Sequence, residues 1–214
     1  MESRIPLCPH CAQQLVPNLN FYCPVCKKRL PDGGFQCDTH QTLPLRAIAC
    51  LFDWQNPLMQ KLILNFKYHN LVPLKNVFQI YMKTIFEQQL NFLAEQRYTI
   101  IPIPLSAQKL RQRGFNQAEI IIPPAISATL PIMANNLLRI KNNLPQALTR
   151  SALERAQNMS GAFAINSASA IAKKNFILID DVYTTGATLN EAAKVLKNNG
   201  AKNIIGITLA GQIY

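Results

Sequence analysis

Apolar residues fall into two kinds of pattern along this chain. Short unbroken runs read as strands covered on both faces, while positions three and four apart read as helices packed on one side. Arg46 to Trp54, Tyr98 to Leu105, Asn175 to Asp180 and Asn203 to Leu209 are of the first kind. Pro57 to Phe66 and Leu74 to Leu93 are of the second, as is Leu189 to Asn199, where Ala192, Val195 and Leu196 share a face and Gly200 closes the helix. Phe115 to Leu130 reads as mainly helical, with an interruption at Pro123-Pro124. Strands alternating with helices predict an α/β fold, an open parallel twisted sheet with right-handed crossovers and helices on its faces.

The run Phe176-Ile177-Leu178-Ile179 ends in Asp180-Asp181 and then in Val182-Tyr183-Thr184-Thr185-Gly186-Ala187-Thr188. Open α/β sheets bind ligands at the carboxyl ends of their strands, so the acids arrive at the active edge. There they are expected to stand exposed, as acceptors for vicinal sugar hydroxyls or for a metal on them. Thr184 to Thr188 bring hydroxyls and backbone N–H groups to a phosphate at the start of the next helix. No Lys follows the glycine, as a nucleotide P-loop requires, and no G-x-G-x-x-G occurs. These thirteen residues resemble the 5-phosphoribosyl 1-diphosphate (PRPP) signature of type I phosphoribosyltransferases. A second ligand-type loop, Ile103-Pro104-Leu105-Ser106, follows the Tyr98 strand and leads to Lys109, Arg111 and Arg113; the diphosphate is expected there. The expected PRPP contacts are therefore Asp180, Asp181, Val182, Tyr183, Thr184, Thr185, Gly186, Ala187, Thr188, Pro104, Leu105 and Ser106, with Mg²⁺ accompanying the diphosphate. No catalytic residue is assigned.

The first forty or so residues are different in kind. Cys8-Pro9-His10-Cys11 is echoed by Cys23-Pro24-Val25-Cys26, and two such turns can complete a tetrahedral zinc shell that supplies folding energy to a segment too poor in apolar residues to hold itself together. Cys37-Asp38-Thr39-His40 has ligand spacing as well. Two assignments stay open: zinc on Cys8, Cys11, Cys23 and Cys26, which the likeness of the first two turns favours, or on Cys23, Cys26, Cys37 and His40. Cys50, inside an apolar run, is expected to be a core thiol. The composition changes near residues 41–46, dividing the chain into a zinc-ribbon-like module, 1–44, and an α/β domain, 45–214.

Metal-type cysteine use, together with Cys and Pro near the N-terminus where a secretory signal would be apolar, points to the cytoplasm. No apolar run reaches the roughly 18 residues of a membrane span, so membrane insertion is not expected. The net charge of +11 is concentrated between residues 97 and 160, where eight Lys and Arg face two Glu. Such an excess suits an extended phosphate backbone better than one small anion, and Lys109, Arg111, Arg113, Arg150 and Arg155 are the candidates to meet it. The polar stretch 141–163 reads as a long connection that can close over a diphosphate.

The cysteine turns, Asn65-Phe66-Lys67-Tyr68, Pro102-Ile103-Pro104-Leu105, Arg113-Gly114-Phe115-Asn116-Gln117, the later Gln146, Arg155, Asn158 and Phe163, and the Asp180 run together resemble the ComF family over nearly the whole chain. The resemblance implies a zinc ribbon fused to a type I phosphoribosyltransferase fold, with a role in natural competence. It also implies cytoplasmic handling of incoming single-stranded DNA, in company with a helicase or recombination mediator. Phe115 and Tyr98 are expected as stacking faces for bases. The alternative function is an active phosphoribosyltransferase that moves ribose 5-phosphate from PRPP to an unidentified acceptor.

Overall fold

The computed structural model describes residues 7–31, 34–68, 71–141 and 159–212. Its centre is a parallel sheet of four strands in the order β1-β6-β5-β2, formed by β1 (Ala47–Asp53), β2 (Tyr98–Pro102), β5 (Asn175–Tyr183) and β6 (Asn203–Gly211). Burial on both faces is the physical reason for the unbroken apolar runs. Ile177, Ile179, Ile205 and Ile207 lie in a core shared with α2 (Pro57–Tyr68) and α3 (Leu74–Glu95). On the opposite face Phe176, Leu178 and Ile204 pack with Leu189, Ala192 and Leu196 of α7 (Ala187–Asn198). Cys50 is a core thiol as expected: it is fully buried, Thr208 Oγ1 donates to its sulfur at 3.1 Å, and burial pushes its pKa up to about 12.

Several boundaries differ from the sequence expectation, each for a local reason. β2 stops at Pro102 instead of continuing to Leu105. The stretch expected as one broken helix is two short ones, α5 (Gln117–Ile120) and α6 (Pro124–Ser127), because Pro123 takes an extended conformation between them. β5 runs three residues further than expected, so Asp180 and Asp181 lie inside the strand, with Asp180 opposite Thr208 and Tyr183 opposite Gly211 of β6. A small antiparallel hairpin, β3 (Leu137–Arg139) with β4 (Phe163–Ile165), was not expected. It frames the polar connection, most of which lies outside the described residues.

The N-terminal segment is joined to the sheet and shares its core. Tyr22 and Ile48 exchange backbone hydrogen bonds at 2.9 Å in each direction, and Asn18 N–H donates to Leu51 O at 2.7 Å, so the ribbon lies antiparallel along the free edge of β1. Phe35 inserts between the ribbon and the α/β core, with ring centroids 4.6 Å from Phe21, 5.4 Å from Phe92 and 6.1 Å from Tyr98. Its replacement, Phe35→Ala, is expected to cost about 3–5 kcal/mol, the range for a buried aromatic truncation. Denaturant unfolding should keep a single transition in both proteins; a separate early transition for the ribbon would contradict the shared core.

Candidate functional site

Alternation along a strand sends adjacent side chains to opposite faces, so Asp180 and Asp181 cannot share one environment. Asp181 is buried, only 8 % exposed, and its Oδ1 lies 2.8 Å from Nζ of Lys67 in the last turn of α2. Asp180 keeps a partly exposed edge, and its Oδ1 accepts the Asp181 N–H at 2.8 Å. Burial, then the neighbouring Asp181 charge, raises its pKa to about 7; Lys67, the Asp181 N–H and Arg139 oppose that rise. The expectation of two exposed acids is thus corrected. Both are drawn into the sheet edge because the strand outlasts the apolar run.

Lys67 and Arg139 belong to this site, although sequence reasoning gave neither a role there. Arg139 ends β3, its guanidinium 5.7 Å from the Phe163 ring centroid and its Nε buried without a hydrogen-bond partner. Desolvation lowers its pKa, and the Asp180 charge resists that change. Lys109 is drawn to the same place: its pKa is lowered by burial and by the charges of Arg139, Arg113 and Lys67, while Asp181 raises it. Arg113, four residues along α4 (Ala107–Arg113), is held by Gln117 Oε1 at 2.9 Å and sits 5.2 Å from the Tyr68 ring centroid. Lys109 therefore lies near the acids with Arg113 beside it, whereas Arg111 is exposed. Arg150 and Arg155 lie outside the described residues.

The turn that opens α7 has the glycine backbone that the sequence predicts. Gly186, at the N-terminus of α7, has φ 73°, and a Cβ there would collide with the Tyr183 ring. Only glycine serves at this point, for its backbone angle and for the absent side chain. Thr184, Thr185, Ala187 and Thr188 are half-buried around the turn, and the N–H groups of the first helical turn are the natural anion donors. Tyr183 and Val182 belong to β5 instead: Tyr183 is 6 % exposed beneath the glycine, and Val182 packs against the core.

The second loop is more structural than expected. Pro104 and Leu105 are half-buried, but Ser106 is buried and caps α4, its Oγ accepting Lys109 N–H at 3.4 Å. Asn116 in the Arg-Gly-Phe-Asn-Gln turn caps α5 and donates to Ile103 O at 3.1 Å, tying the loop to α5. Of the two expected stacking rings, Tyr98 is only 3 % exposed, while Phe115 is half-buried with its ring 5.4 Å from that of Phe66.

The metal assignment is also corrected. Cys23, Cys26, Cys37 and His40 place their ligand atoms within 4.8 Å of one another, and Cys8 and Cys11 are not part of this group. Cys26 Sγ to Cys37 Sγ is 3.7 Å, and His40 Nδ1 is 3.5 Å from Cys23 Sγ and 3.6 Å from Cys37 Sγ. Tetrahedral zinc, with Zn–S of about 2.3 Å and Zn–N of about 2.0 Å, requires S···S near 3.8 Å and S···N near 3.5 Å, so the residues fit the ion. The turn Tyr22 to Arg29 closes on itself, with Cys23 N–H donating to Lys28 O at 2.9 Å, and aims its thiols at Cys37 and His40. Cys8 instead caps the short helix α1 (Pro9–Gln13) and Cys11 lies within it, Cys8 Sγ accepting Cys11 N–H at 3.4 Å.

A family model for the phosphoribosyl transferase domain matches residues 88–213. Competence protein ComFC of Bacillus subtilis is 28% identical over 213 residues, covering 95% of this chain and 83% of that protein. Competence protein F of Haemophilus influenzae is 29% identical over 211 residues, 93% of this chain and 82% of its own length. DNA utilization protein YhgH of Escherichia coli K12 is 30% identical over 104 residues, 48% of this chain and 44% of that one.

The zinc geometry makes a prediction about ligands. His40→Ala should weaken zinc binding by well over 100-fold, beyond the roughly 10–100-fold that loss of an outer-shell partner costs. Cys8→Ser should leave zinc content unchanged by elemental analysis of the purified variants. Zinc loss in Cys8→Ser with retention in His40→Ala would restore the other ligand set.

Proposed function

Because the chain belongs to the phosphoribosyl transferase domain family as a ComF-type member, we propose that it is a competence factor that binds PRPP with Mg²⁺ and holds incoming single-stranded DNA in the cytoplasm. From there the strand passes to a helicase or recombination mediator. The observation that carries the PRPP part is the convergence of the Asp180/Asp181 pair, the Gly186 turn and three cations, Lys67, Lys109 and Arg139, with Arg113 beside Lys109. In this reading the turn holds the 5-phosphate, the acids take the ribose hydroxyls or the Mg²⁺ on them, and the cations balance the diphosphate. Mg²⁺ needs few protein oxygens when substrate phosphate supplies the rest.

The DNA part rests on the net charge of +11, on exposed Arg111, and on the names of the relatives, which concern competence and DNA utilization. No helix among the described residues is long and apolar enough to cross a membrane.

Calorimetric titration of the zinc-loaded protein with PRPP and Mg²⁺ tests the reading, with Asp180→Asn/Asp181→Asn alongside. Binding in the wild type and its loss in the variant are expected. The same variant should keep its affinity for a single-stranded oligonucleotide, because it removes only negative charge, and that affinity should fall by a decade or more, about the cost of several phosphate contacts, between low and physiological salt. A wild type that ignores PRPP would reduce the turn to scaffold, and a salt-independent oligonucleotide affinity would remove the electrostatic strand contact.

A further inference from the structure

A second cavity lies at the other end of the sheet. It has a volume of about 780 Å³ and is bordered by Tyr98 and Asn175, which begin β2 and β5, and by Lys202, just before β6. Asn175 and Asp180 are five residues apart on one strand, which places this cavity about 16 Å from the acids. The volume is in the range of small-molecule sites, roughly 300–1,000 Å³.

Three features of the lining point to one chemistry. Arg97, Lys173, Lys174 and Lys202 surround the cavity, all exposed, with Glu95 as the acid on the rim. Their backbones are fixed: Lys202 N–H donates to Lys174 O at 2.8 Å and Lys173 N–H to Gly200 O at 2.8 Å. Arg97 and Lys173 adopt φ of 52° and 61°, a region that costs a non-glycine residue about 1–2 kcal/mol, so basic side chains stand where glycine would be less strained. Asn175, 7 % exposed, donates through Nδ2 to Gln96 O at 2.6 Å and so holds the turn that carries Arg97. Finally, Leu130, Ile132 and Met133 form an apolar wall, with Ile132 39 % exposed.

We infer that this cavity binds a nucleotide unit, its phosphate on the rim cations and its base along the Leu130–Met133 wall. Every nucleobase has a flat face to lay on such a wall, so the site accepts nucleotides without strong base preference. A phosphate alone would leave the wall unused. The unit is either a free nucleotide or one residue of a strand.

The probe is 2′-deoxyadenosine 5′-monophosphate, titrated by calorimetry into the full zinc-loaded chain. Lys174→Gln/Lys202→Gln is expected to weaken binding by about 10-fold or more, the loss of charge-assisted phosphate contacts, without altering thermal unfolding. Asp180→Asn/Asp181→Asn should leave it unchanged, which separates this site from the PRPP turn whether or not that turn binds PRPP. Displacement of the bound mononucleotide by a single-stranded oligonucleotide would identify a strand as the source, and its failure to displace would identify the free nucleotide. No saturable binding at millimolar mononucleotide would overturn the inference. Binding lost in the Asp variant and kept in the Lys variant would overturn it as well.

Discussion

Two adjacent carboxylates inside a buried strand must point to opposite faces, and each needs its own compensation. This constraint organises the carboxyl edge of the sheet. Removing a charge from water costs several kcal/mol unless a partner is brought with it. Lys67 supplies that partner for Asp181 at 2.8 Å, which places the end of α2 over one face of β5. On the other face Arg139 is carried in by the β3–β4 hairpin, and its charge favours ionised Asp180. The acids therefore determine where a helix end and a hairpin must stand.

Once these partners are in place, the site has more positive than negative charge. Lys109, with Arg113 beside it, joins Lys67 and Arg139 around two carboxylates, and the N-terminus of α7 adds its own partial positive charge. Mutual repulsion among the cations contributes to the lowered pKa of Lys109. An anion with several charges, arriving with a divalent metal for the acids, would relieve the repulsion. The zinc ribbon takes no part in this balance; it covers the open edge of β1 and extends the core through Phe35.

The strands, the two long helices and the glycine turn were legible in the sequence because each is a local pattern: a period, a capping glycine, a run that ends in acid. Lys67 and Arg139 were not, since they are separated from the acids by 113 and 41 residues and only the fold brings them together. The capping role of Ser106 has a readable signal, a serine directly before a helix, which is the N-cap pattern. Zinc spacing was inconclusive by nature. Eleven residues separate Cys11 from Cys23 and ten separate Cys26 from Cys37, so loop length does not discriminate, and the likeness of two turns outweighed the true neighbour. The polar ends of the sheet also escaped notice, because Arg97, Lys173, Lys174 and Lys202 form a cluster only when β2, β5 and β6 are aligned.

A carboxyl-carbon NMR titration of Asp180, assigned through Asp180→Asn, tests the central claim most directly. Folding raises this pKa from the ordinary 3.8 to about 7, so the folded protein holds a proton there that the unfolded chain has released. Stability is then lost as pH rises through that window, and the Asn variant should lack this component. An inflection near 7 in the free protein, moved downward by Mg²⁺, is the result expected from a carboxyl desolvated beside a second acid. An inflection near 4 that ignores Mg²⁺ would mean an ordinary solvated side chain and would contradict the account of the site.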